Sequence, residues 1–198
     1  MKRIAVGIAT TPVAVCCCVM VACGGFSPVA GWSSTLYSCR EYAFAIEYPS
    51  SYVRLEVPTA ESGDAAPLFH IFFADPEGAT IAGKAVDTLD VSVYEMNRAP
   101  TETDLKMHQR DFVRMVGVLD GKLHGLRIVE PFTWGTFADE QALKGFYTYR
   151  IDGKDVAASA TLVIHGTRAY LIRAQASRET WGTTGRLLMS SVASFSLL

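Results

Sequence analysis

The stretch 143–176, LKGFYTYRIDGKDVAASATLVIHGTRAYLIRAQA, decides the fold. Leu143 to Ile151 and Val156 to Ile164 read as two strands joined through Asp152-Gly153. Asp-Gly between alternating runs is a hairpin signal with a mechanism, because the favoured type I′ turn needs positive φ at both central residues. His165-Gly166-Thr167 makes a second tight return into Ala169–Ala176, where Tyr170, Ile172, Ala174 and Ala176 fall on one face of a strand. The centre of the chain is therefore antiparallel sheet.

Upstream of this centre, Leu126 to Phe132 reads as another strand, and Leu89, Val91 and Val93 alternate with Asp90, Ser92 and Tyr94 as in a strand buried on one face. Leu68 to Ala74 is a further apolar run, halted by Asp75-Pro76-Glu77-Gly78. Phe44, Ile46 and Tyr48 alternate with Ala45 and Glu47 before Pro49 and two serines turn the chain into Tyr52 to Val57, and Thr59 to Pro67 is a polar loop. Between Thr101 and Leu119 the period lengthens: Leu105, His108, Phe112, Met115 and Leu119 recur every three or four residues, one stripe of an amphipathic helix that stops at Asp120-Gly121. Downstream, Ser177 is placed to cap a helix with Glu179 in its first turn and Trp181, Gly185, Leu188, Val192 and Phe195 on its buried stripe. Gly182 and Gly185 each cost such a helix up to about 1 kcal/mol, so it must draw its stability from packing on the sheet. The fold class is α+β, a central, mostly antiparallel sheet with packed helices.

The N-terminus predicts location. Lys2 and Arg3 precede an uncharged run of 19 residues, Ile4 to Ala22, the basic and apolar regions of an export signal. The run is also long enough to span a bilayer, so an uncleaved anchor is the alternative. Pro12, Ala22 and the Gly24-Gly25 pair favour cleavage. Met20-Val21-Ala22-Cys23 resembles the lipobox of bacterial lipoproteins, a resemblance that implies diacylglyceryl modification of Cys23 and its release as the first mature residue. Two or three acyl chains hold a protein on a membrane far more firmly than one. The expected organisation is a signal peptide over 1–22, a lipidated N-terminus and flexible tether over 23–41, rich in Gly, Ser and Pro, and one domain over 42–198. The expected location is the extracytoplasmic face of the cell membrane, through a lipid anchor.

Of the 198 residues, 18 are basic and 20 acidic; losing Lys2 and Arg3 with the signal leaves an acidic mature chain, which argues against a nucleic-acid partner. Cys16, Cys17 and Cys18 lie within the apolar run. Lipidation of Cys23 leaves Cys39 an unpaired thiol, whereas a free Cys23 in an oxidising compartment would make a bridge to Cys39 open to it.

Phe44-Ala45-Ile46-Glu47-Tyr48-Pro49, the hairpin into Tyr170-Leu171-Ile172, and the Trp181 helix running into Ser194-Phe195-Ser196-Leu197 together resemble the Mog1/PsbP-like family. The resemblance implies a central antiparallel sheet with helices packed on it, and a role in docking onto larger partners. It carries over no functional residue.

No Gly-x-Ser-x-Gly elbow, Ser-x-x-Lys pair or nucleotide-binding glycine fingerprint occurs, and His70, His108, His124 and His165 are scattered without metal-ligand spacing. Asp75 and Glu77 lack the oxygen density of a calcium loop. The expectation is therefore a protein without cofactor, metal or catalysis. Two groups of residues are candidates for binding. Lys106, Arg110 and Arg114 fall four apart on one helical face, suited to anionic headgroups or an acidic partner. Trp134 and Phe137, with Phe132 nearby, cluster in a stretch around Gly135 that reads as a loop and would grip a partner or an apolar ligand. These residues favour a non-enzymatic binding or assembly module with an envelope protein partner. The alternative is a carrier of a small apolar ligand or lipid, held between the sheet and the terminal helix.

Overall fold

The computed structural model describes residues 32–56, 66–81, 83–107, 109 and 124–198. Its strands are β1 (Ser34–Cys39), β2 (Phe44–Pro49), β3 (Val53–Glu56), β4 (Phe69–Ala74), β5 (Thr80–Ile81), β6 (Lys84–Ala85), β7 (Thr88–Glu95), β8 (His124–Phe137), β9 (Glu140–Ile151), β10 (Lys154–His165), β11 (Arg168–Ser177) and β12 (Ser196–Leu197). The helix α1 (Arg186–Ala193) stands between the last two. Seven strands make the main sheet in the order β3-β4-β7-β11-β10-β9-β8, and β1-β2-β12 make a second, small sheet. All pairings are antiparallel.

The central meander forms where its turn residues place it. Asp152 and Gly153 both have positive φ, 46° and 79°, as a type I′ turn requires. The β8–β9 turn uses the same left-handed geometry at Ala138 (φ 51°) and Asp139 (φ 62°), without a glycine to signal it.

On one face of the main sheet lie Ile71 and Phe73 of β4, Val91 and Val93 of β7, and Tyr170, Ile172 and Ala174 of β11, all fully buried or nearly so. The small sheet and α1 cover them with Phe44, Ile46, Leu188, Val192 and Phe195. Phe44 stacks on Phe195 at 5.8 Å and meets the edge of Tyr170 at 6.1 Å. Tyr170 Oη donates to the Tyr42 carbonyl at 3.0 Å, and the Glu47 amide donates to Ser194 Oγ at 2.8 Å, which ties β2 to the end of α1.

Three expectations are corrected. The tether does not extend to residue 41: β1 pairs with β2 along its whole length, from Ser34↔Pro49 to Cys39↔Phe44. Its inward residues are only Tyr37, 5.8 Å from the Phe73 ring, and the buried Cys39, too few to stand out from a serine-rich run. The stretch around Gly135 is not a loop, for it lies within β8, whose register slips three times. Pro131 sits at one of these irregularities on an edge strand, where a missing N–H costs no ladder bond, and Phe132 there turns inward onto Gly145. A Cβ on Gly145 would lie 2.4 Å from that ring. Finally, β7 is buried on both faces: Thr88, Asp90 and Ser92 are as inaccessible as the leucine and valines between them. The opposite face of the sheet carries a second core of Leu143, Tyr147, Val156, Leu162 and Leu171.

Ser177 Oγ accepts the Thr180 amide at 3.2 Å, as a cap would, but the first turn that follows, Trp181–Gly185, is of the wider π type before α1 begins. The stripe Leu188, Val192 and Phe195 is buried as its spacing predicts. Residues 102–107 are helical, opened by a reciprocal cap: Thr101 Oγ1 accepts the Asp104 amide and Asp104 Oδ2 accepts the Thr101 amide. Residue 109 is helical too, and the remainder of the helix expected over 101–119 lies outside the described residues. Helix is sparse beside sheet, and among the described residues no helix is long and apolar enough to cross a membrane.

Candidate functional site

The small sheet and α1 cover only part of the first face. The small sheet packs over β4, with Tyr48 stacked on Phe73 at 4.3 Å, and α1 packs on β2, β7 and β11. Beyond them, the residues of β10, β9 and β8 that point to this side line an open groove. Residues directly opposite each other on neighbouring strands share a face and stand about 5 Å apart at Cβ. The pairings therefore give two cross-strand rows: Thr133, Lys144 and Thr161, then Glu130, Phe146 and Ser159. Phe137, Trp181, Met189 and Val192 complete the walls of a cavity of about 570 Å³. A separate hollow of about 370 Å³ lies on the far side of Phe146 and Trp181, lined by Arg127, Thr148 and Gly182.

Trp181 is held in place from below and from the side. Its six-membered ring lies over Gly185, where a Cβ would come within 2.5 Å, and its centroid is 5.0 Å from that of Phe146. Phe137 stacks on Phe195 at 6.3 Å, and the Lys144 ammonium sits 4.4 Å from the Phe137 centroid. Lys144 Nζ also donates to the Thr136 carbonyl at 3.4 Å. No carboxylate among the described residues pairs with it, and burial pushes its pKa down. No protein hydrogen bond engages the hydroxyls of Thr133, Ser159 or Thr161 among the described residues.

The opposite face holds a charged cluster that sequence reading left unassigned. Asp90, 2 % exposed, accepts a 2.9 Å hydrogen bond from Arg173 Nε across the β7–β11 pair, and His70 Nε2 stands 3.6 Å from its other oxygen. Burial alone would raise the Asp90 pKa, but Arg173 and His70 outweigh it and hold the carboxyl below the ordinary carboxylate range. The alternation in 89–94 assigned Asp90 to a solvent face. The signal that would have placed it is Arg173, a lone charge in the apolar run of β11. Nearby, Tyr149 Oη donates to Gln175 Oε1 at 2.7 Å.

The structure divides the sequence candidates. Phe137 lines the groove, but Trp134 lies on the other face and donates from Nε1 to the Leu105 carbonyl at 3.1 Å, so the two aromatics do not act together. Lys106 is exposed and pairs with Glu102 at 3.2 Å. Arg110, Arg114, His108 and Cys23 lie outside the described residues. His165 Nδ1 is 2.8 Å from Glu140 Oε1 beside the β10–β11 turn, and Asp75 Oδ1 accepts the Glu77 amide within its own turn. Among the described residues no three His, Cys, Asp or Glu side chains are grouped to hold a metal ion. The groove residues Lys144, Phe146, Ser159 and Thr161 escaped sequence reading because their strands read only as alternating runs, with nothing to show which part of a face another element covers, although Trp181 was legible as part of the helical stripe.

No family model matches this chain, and no curated protein does. Among solved structures, it is similar to the solution structure of cyanobacterial PsbP (CyanoP) from Synechocystis sp. PCC 6803, with a TM-score of 0.61, 15 % identity, and coverage of 87 % of this chain and 96 % of that one. LpqN, described as involved in cell envelope biogenesis of Mycobacterium tuberculosis, matches with a TM-score of 0.47 at 11 % identity over 86 % of this chain and 89 % of its own. A protein of unknown function from Pseudomonas aeruginosa matches at 0.41 and 13 % over 81 % and 94 %. The first likeness shows a PsbP-like fold, in agreement with the family resemblance read from the sequence.

Proposed function

We propose that the chain is a membrane-anchored lipoprotein of the cell envelope whose PsbP-like domain is a non-enzymatic binding or assembly module, and that it binds through the groove beside Trp181. The observation that carries this reading is the outer third of the sheet's first face, which no described element covers and where aromatic walls meet hydroxyls that no group among the described residues engages. Concave sites of a few hundred Å³ with apolar walls and a few convergent polar groups are the usual form of a ligand site. Binding rather than turnover is supported by the polar lining itself: neither Ser159 nor Thr161 is hydrogen-bonded to a histidine or carboxylate among the described residues, as an activated nucleophile would be.

The anchor is supported by Lys2, Arg3, the apolar run and the lipobox-like Met20-Val21-Ala22-Cys23. β1 begins 11 residues after Cys23. An extended chain advances at most about 3.6 Å per residue, so an acylated Cys23 would hold the domain within about 40 Å of the bilayer.

The test places a photo-crosslinking amino acid at Phe146, in the groove, or at the exposed Lys84 as a control, in the membrane-bound protein. The expected result is one discrete adduct from position 146, none from 84, and loss of both membrane association and adduct in Cys23→Ala. Equal adducts at both positions, or none at 146, would remove the groove from the account.

A further inference from the structure

We infer that the groove takes an anionic amphiphile with a single acyl chain, its oxyanion head on the Lys144 ammonium and its chain along Phe146, Trp181, Met189 and Val192. This rests on the groove being the binding surface, and adds the chemical class of what fills it.

The head-binding group is placed by strand register and by its own contacts. Lys144 is directly opposite Thr161 on one side and Thr133 on the other, and from there its ammonium reaches to the Thr136 carbonyl and the Phe137 ring. Opposed side chains lie about 5 Å apart at Cβ, so the two threonines stand about 10 Å apart; the oxyanion is held by the ammonium, and the exposed Thr133, not the buried Thr161, is the accessible hydroxyl of the row. Lys144 is half-buried and its neighbours are the Phe137 ring and the Thr136 carbonyl, which attract the cation without neutralising it. A partly desolvated charge without a counter-ion is costly, and an incoming carboxylate or phosphate removes that cost. The depressed basicity of Lys144 agrees with this, because burial alone disfavours its charged form.

The tail follows from the neighbouring row. Towards Trp181 the lining changes to Phe146, Met189 and Val192, and the Trp181 ring, fixed over Gly185, closes one wall. Glu130 shares the Phe146 row but is exposed at the rim, one row from the ammonium, where it disfavours a second negative charge along the chain. A volume of about 570 Å³ falls within the range of about 300–1,000 Å³ found for small-molecule sites. A free acyl carboxylate and a single-chain phospholipid share this chemistry.

Four diazirine-bearing probes of equal chain length, hexadecanoate, hexadecyl phosphate, hexadecanol and hexadecylamine, test the inference on the full chain purified from membranes in non-ionic detergent. Labelled peptides are mapped by mass spectrometry. The expected result is labelling of the segments holding Phe146 and Trp181–Val192 by one or both anionic probes, about tenfold above the alcohol and amine, the factor one charge-assisted hydrogen bond supplies. Labelling by the carboxylate alone identifies a fatty acid, and by the phosphate alone a single-chain phospholipid. Lys144→Gln should bring the anionic probes down to the level of the alcohol while Lys144→Arg keeps most of their labelling, with unchanged circular dichroism in both. Equal labelling by alcohol and anions, or no effect of Lys144→Gln, would overturn the head-group assignment and leave the groove standing as an apolar site. No groove labelling by any probe, together with a protein adduct from position 146, would overturn the amphiphile and keep the binding surface. Failure of both experiments would overturn the two readings together.

Discussion

Gly185→Ala sets two effects of similar size against each other, and the structure says which one should be visible. Gly185 has φ −59° and ψ −38°, ordinary right-handed helical values, so alanine fits the backbone without strain. On propensity alone the change would stabilise α1 by up to about 1 kcal/mol. The new Cβ, however, would lie 2.5, 2.8 and 2.9 Å from three atoms of the Trp181 ring, all closer than van der Waals contact permits. The ring must move, and its contact with Phe146, at 5.0 Å between centroids, is worth about 0.5–1.5 kcal/mol beyond burial. The two terms nearly cancel, and urea midpoints should shift by less than about 1 kcal/mol in either direction. The groove should not be spared. The Trp181 indole resonance and its contacts to Phe146 should change, and labelling of the Phe146 segment by the anionic probes should fall about fivefold or more, a loss of about 1 kcal/mol. Unchanged Trp181 resonances would mean that the ring does not depend on Gly185, and unchanged labelling would mean that Trp181 is not a wall of the site.

Three further outcomes are expected. Asp90→Asn removes the carboxylate facing Arg173 Nε and His70 Nε2, and should cost about 3 kcal/mol in denaturant unfolding at neutral pH, as breaking a buried pair does. Because the folded-state pKa of Asp90 is depressed, its stabilisation is present above the unfolded value near 4 and lost as pH falls through the lower folded value, so the variant's stability should depend less on pH below about 4 than the wild type's. Replacing Ala138 and Asp139 by Asn-Gly puts left-handed residues where both φ values are already positive, and should raise the thermal midpoint in step with about 0.5–1 kcal/mol; no gain would mean that the present turn bears no strain. Gly145→Ala drives a Cβ to within 2.4 Å of the Phe132 ring and should destabilise by about 1–3 kcal/mol in calorimetry, with partial rescue by Phe132→Leu; an unperturbed Gly145→Ala protein would contradict the packing of β8 on β9.

The main sheet was legible because its punctuation is local. Asp152-Gly153 and His165-Gly166 mark their turns in the residues themselves, and Phe44, Ile46 and Tyr48 mark β2 by alternation. What stayed hidden depends on partners distant in sequence. β1 carries two inward residues, and its other warrant is a register against β2. Asp90 reads as a solvent residue until β11 brings Arg173 opposite it, 83 residues later. Trp134 and Phe137, three apart, look like one aromatic cluster, but an odd separation on a strand sends them to opposite faces, and the inference of a loop around Gly135 concealed that parity. Lys144 was passed over for the same reason: a lysine in an alternating strand looks like ordinary solvent-facing decoration until Thr161 and Thr133 are seen beside it.

The groove itself follows from dimensions. Seven strands spaced about 4.8 Å apart make a face about 30 Å wide. One helix covers about 10 Å of it, and three strands of a small sheet cover little more. With the small sheet lying on β4 and α1 on β7 and β11, about two strand spacings towards β8 have no lid among the described residues. An uncovered antiparallel face can be hydrated at no cost if its outward residues are polar throughout. Here they are mixed, with Phe146, Phe137 and the overhanging Trp181 beside Lys144, Ser159 and Thr161. A face that needed only water would have no use for a tryptophan held over a glycine. The residues on β8 to β10 combine apolar and polar lining, and the half-buried Lys144, which no carboxylate among the described residues pairs, is the group that the proposed negative head would meet.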